Sequence, residues 1–208
     1  MNRILQSRVV PIAVLEKAEV AVPLAKALQA GGLDIIEVAQ RTAAAEQCIR
    51  NIKRAFPDML VGAGTLLTVD QVKRAKAAGA QFGVAPGLNE TVVKASLDLG
   101  MPFVPGVATP SEVERALALG CKLLKLFPAD VLGGVKLLKA FTGPFGHTGV
   151  KFIPLGGVTA QNAADYLALP IVAAIGGSWL ADKKLVAEKT WAEITRLTTE
   201  IIVLAAKK

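Results

Sequence analysis

A single histidine, His147, serves the whole 208-residue chain, and only two cysteines, Cys48 and Cys121, accompany it. Zinc and other transition-metal sites draw on several such ligands at recognisable spacings. Metal-dependent catalysis therefore has no evident ligand set, and His147, in the loop "GPFGHTGVKF", reads as a solvated loop residue. The two cysteines lie in apolar surroundings without motif spacing, which excludes a disulfide scaffold and reads as reduced core thiols. Aromatic residues make up only 5% of the chain, so the core must come from Val, Ile, Leu and Ala. That scarcity also weighs against nucleic acid as a partner: the net charge is +7, but no stacking aromatics interleave with the cations. The charge reads instead as a solvated surface with mild steering of anionic substrates.

Long hydrophobic runs are also missing. No uninterrupted apolar stretch reaches the roughly 18 residues of a membrane span, and the longest candidate, "ALPIVAAIGGSWLA", is broken by Gly176 and Gly177. The first apolar run, "VVPIAVL", carries a proline and leads into Glu16 and Lys17 with no cleavage-site pattern, so a secretory signal is not expected. These absences together predict a cytoplasmic protein with neither a membrane nor a nucleic acid as partner.

What the chain does contain is a regular alternation. Short apolar runs begin near Val9, Asp34, Leu60, Gln81, Pro102, Leu123, Lys151 and Ile171, at intervals of about 20 to 28 residues. Between them lie Ala- and Leu-rich segments of helical periodicity, such as "AEVAVPLAKALQAGG", often closed by glycine. Continuous apolar strands alternating with helices predict a parallel sheet buried on both faces. Eight such units predict a closed (β/α)8 barrel, one domain spanning 1–208. An open doubly wound sheet is the alternative, but "GAGT" lacks the third glycine of a dinucleotide fingerprint and no P-loop is present. The last helix, near Lys189 to Ala206, should turn Trp191, Ile194, Leu197, Ile201 and Leu204 towards the barrel.

Barrel enzymes carry their sites at the C-terminal strand ends, so strand parity sorts the polar groups. In "DIIEVAQRT", Ile35, Glu37, Ala39 and Arg41 share one face; in "LLKLFPA", Lys125 and Phe127 share one, leaving Leu124 and Leu126 for the helices. Glu37 and Lys125 could then meet inside the barrel. One reading is a buried pair that merely fixes packing. Another follows from Thr65 at the end of the third strand and from the glycine pairs Gly156–Gly157 and Gly176–Gly177 after the last two strands. Barrels commonly bind phosphate there, with backbone amides and a helix N-terminus, and Ser178 could add a hydroxyl. The mouth would then offer a desolvated, nucleophilic lysine, a proton-shuttling carboxylate, an arginine for a substrate carboxylate and a phosphate cradle.

The motifs "IIEVAQRT", "VGAGT", "VAPGLNE", "PGVATPSE", "KLFPAD", "GPFG" and "IGGSW" resemble those of the 2-keto-3-deoxy-6-phosphogluconate (KDPG) and 2-keto-4-hydroxyglutarate (KHG) aldolases, over essentially the whole chain. The resemblance implies a cytoplasmic homotrimer of (β/α)8 barrels cleaving a phosphorylated keto acid to pyruvate and glyceraldehyde 3-phosphate, with no cofactor beyond a Schiff base on Lys125. Glu37 would be the general acid/base, and Arg41 and Thr65 would hold the pyruvate carboxylate. Pro86 and Phe127 would wall the pocket, and Gly156, Gly157, Gly177 and Ser178 would line its phosphate end. Three positions depart from the family pattern: Ala39 and Leu155 stand where threonine is usual, and Ala85 where serine is common. Each replaces a hydroxyl with an apolar side chain. They leave room for two alternatives: the same chemistry on 4-hydroxy-2-oxoglutarate or an unphosphorylated keto acid, or a non-catalytic barrel serving as an oligomeric scaffold.

Overall fold

The computed structural model describes residues 1–206. Its strands are β1 (Val9–Ala13), β2 (Ile35–Ala39), β3 (Leu60–Gly64), β4 (Phe82–Val84), β5 (Phe103–Val104), β6 (Gly106–Val107), β7 (Leu123–Leu126), β8 (Lys151–Pro154) and β9 (Ile175–Gly177). Every pairing is parallel. One sheet runs β5-β4-β3-β2-β1-β9 and the other β6-β7-β8. The continuity of β5 into β6 and the bridge Phe152–Val172 join the two into a closed barrel, as the eightfold alternation predicts.

The ninth strand is a correction to the eight apolar runs. "PFVPGVA" forms two short strands rather than one, because Pro105 has no N–H to donate to a ladder. Its carbonyl still accepts from the Lys125 amide at 2.9 Å. Gly106 then runs so close to the loop after β4 that a Cβ there would lie 2.1 Å from the Pro86 carbonyl oxygen.

The helices are α1 (Asn2–Ser7), α2 (Ala21–Ala30), α3 (Ala45–Ala55), α4 (Val69–Ala77), α5 (Glu90–Asp98), α6 (Pro110–Ala118), α7 (Gly134–Phe145), α8 (Ala163–Leu167), α9 (Lys183–Ala187) and α10 (Trp191–Ala206). Local chemistry fixes several starts. Thr68 with Gln71 and Thr109 with Glu112 form reciprocal capping boxes at α4 and α6, and Asn89 caps α5, each satisfying amides that the first turn leaves free. None of these helices is long and apolar enough to cross a membrane.

The strand faces separate two cores. Ile36, Val38, Leu124 and Leu126 pack outward with the helices. Ile35, Val10, Leu60, Phe82, Val84, Val104, Leu123 and Ile153 pack inward. Helix α1, which the sequence pattern does not suggest, seals the N-terminal end of the barrel. Its Ile4 is wholly buried in the inner core, and Arg3 ties it down by donating to the Asp58 and Asp34 carbonyls and pairing with the Asp34 carboxylate.

The apolar face of α10 is rotated from the expected stripe. Its buried line is Ile194, Thr198, Ile201 and Ala205, with Trp191, Leu197 and Leu204 on the flanks. Thr198 can be buried because its hydroxyl donates to the Ile194 carbonyl at 2.7 Å. Gly31 opposite leaves it space: a Cβ there would come within 2.5 Å of Thr198.

Candidate active site

Two ionisable side chains stand in the barrel interior, Glu37 at 2% and Lys125 at 4% exposure. Parity places both as the sequence suggests. Glu37 is the middle residue of β2 and pairs in register with Gly62. Lys125 on β7 pairs with Gly106 on one side and Ile153 on the other. They line one narrow cavity with Ile4, Val10, Phe82, Val84, Val104, Ile153 and Leu155. Glycine makes the room for Glu37: a Cβ on Gly64 would sit 1.9 Å from its Oε1. Gly62 does the same for Phe82, whose ring would lie 2.2 Å from such a Cβ.

The two groups share the cavity without forming a direct ion pair. The ion pairs among the described residues are surface pairs. Each group is therefore only partly compensated for the water it has lost. Burial pushes the Glu37 carboxyl above the usual carboxylate range, against the opposing pull of Lys125 and Arg41. Burial likewise pushes Lys125 below the ordinary lysine value; Glu37 opposes this and Arg41 adds to it. A lysine biased towards free amine beside a carboxyl biased towards its acid form is a nucleophile paired with a proton donor. The Phe127 ring, 5.0 Å from the Lys125 ammonium, covers it from the same face.

Above this pair lies the mouth. Arg41 is exposed just beyond β2 and donates from Nε to the Thr65 hydroxyl at 3.2 Å. Thr65, at the end of β3, has φ +58°, a left-handed conformation that a β-branched residue rarely adopts. Strain of this kind persists where the surroundings over-determine it, and it clusters at functional sites. Pro86 follows β4 and is half-buried. Arg41, Thr65, Pro86 and Phe127 thus follow the C-terminal ends of β2, β3, β4 and β7 around one rim.

The glycine loops lie at the strand ends expected of them. Gly156 and Gly157 adopt φ of +89° and +82°, which explains glycine at both positions. Gly157 is also held close to Asp130: a Cβ would come within 2.2 Å of the Asp130 Cβ. Gly177 ends β9, packed under the Trp179 ring, and Ser178 is exposed. The segments that follow differ from the expected helix N-termini. Ser178 enters a 3-10 turn, Trp179–Ala181, and the Gly156–Gly157 loop passes through Val158–Gln161 before the five-residue α8. Any anion there would meet loop amides and the Ser178 hydroxyl rather than the end of a long helix.

His147 is exposed in a 3-10 turn, and both cysteines are buried and free. No cluster of three or more His, Cys, Asp or Glu side chains capable of holding a metal ion occurs among the described residues. Sequence reasoning missed the strained backbone of Thr65 and the part played by Gly64, since neither leaves a local signal in composition or parity.

This arrangement decides which known proteins the chain should be set beside. The family model described as KDPG and KHG aldolase matches residues 1–197. The chain belongs to the KDPG and KHG aldolase family. It is 44% identical over 194 residues to the KHG/KDPG aldolase of Escherichia coli K12, covering 93% of this chain and 90% of that protein. It is 42% identical to the 2-dehydro-3-deoxy-phosphogluconate aldolase of Haemophilus influenzae, covering 97% and 94%. The crystal structure of KDPG aldolase from Legionella pneumophila, with pyruvate captured at low pH as a covalent carbinolamine intermediate, superposes with a TM-score of 0.91 at 40% identity, covering 95% of each chain.

Proposed function

We propose that this chain is a carbon–carbon lyase that cleaves 2-keto-3-deoxy-6-phosphogluconate to pyruvate and glyceraldehyde 3-phosphate through a Schiff base on Lys125. The observation that carries the reading is the desolvated Lys125 beside Glu37 inside the barrel. Lys125, as free amine, attacks the substrate C2 ketone to give a carbinolamine; Glu37, in its acid form, gives its proton to the C2 hydroxyl, and loss of water leaves an iminium and the Glu37 carboxylate. Glu37, as carboxylate, takes the proton of the C4 hydroxyl, directly or through one water. The C3–C4 bond breaks, its electrons pass to the iminium to form an enamine, and the aldehyde leaves. Protonation of C3 regenerates the iminium of pyruvate, and water releases pyruvate from the lysine. The iminium serves as the electron sink, so the step needs no further cofactor.

Arg41 and Thr65 hold the C1 carboxylate in this reading. The guanidinium supplies a planar donor fork, and its bond to Thr65 fixes its direction. Pro86 and Phe127 wall the keto acid. Gly156, Gly157, Gly177 and Ser178 receive the phosphate. A scaffold role fits poorly, because two incompletely paired charges in a barrel core cost stability that apolar residues would not. We carry the homotrimeric state and the cytoplasmic location within the same reading; light scattering in solution tests the former.

The direct test is borohydride reduction with pyruvate present, followed by peptide mapping. The expected result is a single adduct on Lys125, absent in Lys125→Ala. An unmodified Lys125 in active protein would overturn the proposal.

A further inference from the structure

Leu155 lies between the two ends of the proposed substrate path. Lys125 pairs in register with Ile153, so the inward face of that segment next returns at Leu155, one layer nearer the mouth. Two backbone bonds lock it at that level: its amide donates to the Leu126 carbonyl at 3.0 Å, and its carbonyl accepts from Ala129 at 2.8 Å. Its side chain lines the cavity that holds Glu37 and Lys125 and reaches over β9. A Cβ on Gly176 would come within 2.6 Å of the Leu155 Cδ1, so the glycine is what leaves room for the leucine. The residues that follow directly are Gly156 and Gly157. A molecule bonded to Lys125 through C2, with its phosphate at those glycines, must lay its intervening carbons along Leu155.

We propose that Leu155 is a specificity-determining residue, and that it makes this aldolase accept phosphorylated aldehydes lacking the hydroxyl next to the carbonyl nearly as well as those that carry it. The inference rests on the Lys125 reading above. The leucine side chain neither donates nor accepts a hydrogen bond. A hydroxyl laid against it gives up water without a partner there, and a methylene in its place gives up nothing. Sites that hydrogen-bond a substrate hydroxyl reject the deoxy analogue strongly, whereas apolar walls separate the two weakly. The wall also faces the segment between the reacting carbons and the phosphate, so it acts on the aldehyde half and leaves pyruvate capture untouched.

The test compares kcat/KM for pyruvate addition to glyceraldehyde 3-phosphate and to 3-phosphonooxypropanal, in the native protein and in Leu155→Thr, with borohydride trapping of pyruvate run alongside. The native enzyme should favour the hydroxylated aldehyde by less than about fivefold, and Leu155→Thr should raise that preference by about fivefold or more. Pyruvate should trap on Lys125 in both. A native preference of about fivefold or more, or a folded Leu155→Thr that shifts the preference by less, overturns the role of Leu155 while leaving the lysine chemistry standing. If the threonine variant does not fold, the native preference alone decides. Failure of pyruvate to trap on native Lys125 overturns the underlying reading, and this inference with it.

Discussion

The two ends of the barrel interior are built from the same strands and obey opposite rules. At the N-terminal end, α1 closes the lumen, and Ile4, Ile35, Leu60, Phe82 and Leu123 fill it with side chains that lose nothing by leaving water. Towards the C-terminal end, Glu37 and Lys125 are buried almost as deeply but keep their charges apart instead of pairing. Burial at the first end stabilises the fold, by about 25 cal/mol per Å² of apolar surface. Burial at the second opposes it and alters proton affinities instead. The contrast runs along single strands: Ile35 and Glu37 lie two residues apart on β2, and Leu123 and Lys125 two apart on β7. What separates structural from chemical positions in this fold is height along the strand, since both kinds point inward.

The sharpest way to break the contrast is to extend the lower rule upward. Lys125→Met should abolish retro-aldol activity, with kcat falling roughly 10⁴–10⁶-fold, while the melting temperature stays within a few degrees of native, because the desolvation cost removed with the ammonium offsets the loss of the charge that partly compensates Glu37. A fall of several degrees would instead make Lys125 a packing element. Glu37→Gln should follow with a kcat loss of about 10²–10⁴-fold, and its stability effect has a defined sign. Folding raises the Glu37 proton affinity, so the native protein keeps its stability below the ordinary carboxyl value of 4.5 and loses some as pH rises through the higher folded value. Glutamine has no such loss. The variant should match the native melting temperature near pH 4.5 and exceed it at pH 8; equal temperatures at both would show that the carboxyl is not perturbed. At the lower end, Ile35→Ala should cost about 2–5 kcal/mol of stability by leaving a cavity, with kcat within about threefold of native. Denaturant unfolding and initial rates separate the two effects.

The sequence was most informative where one physical requirement acts alone. Apolar runs such as those at Leu60 and Leu123 must be buried on both faces, so the barrel was legible from their spacing. Parity put Lys125 and Glu37 on the inner face because the alternation of a strand has no tolerance for a slip. Legibility failed where the cause is distant. The six-residue α1 is too short for periodicity to show, and what holds it is Ile4 buried in the inner core and Arg3 reaching loops far along the chain. The distance between Glu37 and Lys125 is set by barrel curvature, which parity does not contain. The glycine of "GAGT" could be read as a turn, yet Gly64 is there because Glu37 lies against it. For α10, an apolar stripe counted at helical spacing overlooked Thr198, whose hydroxyl is satisfied within its own helix.

Thr65 offers the finest division between the two rules, because a single residue there bears both a stability cost and a proposed binding role. Its φ of +58° is disfavoured for a β-branched side chain by something on the order of 1–3 kcal/mol, and glycine removes that strain at a cost in unfolded-state entropy. Thr65→Gly should therefore leave the melting temperature level or slightly raised. The same change deletes the hydroxyl that accepts from the Arg41 guanidinium at 3.2 Å. Arg41 is exposed and has lost this anchor, so it should hold the pyruvate carboxylate less firmly: KM for pyruvate in the condensation direction should rise about tenfold, the effect of one hydrogen bond to a charged group. Because Lys125 and Glu37 are unchanged, kcat at saturating pyruvate should fall by less than about threefold. A variant that lost stability while keeping its KM would mean that Thr65 holds the β3 end in place and that the carboxylate is held elsewhere.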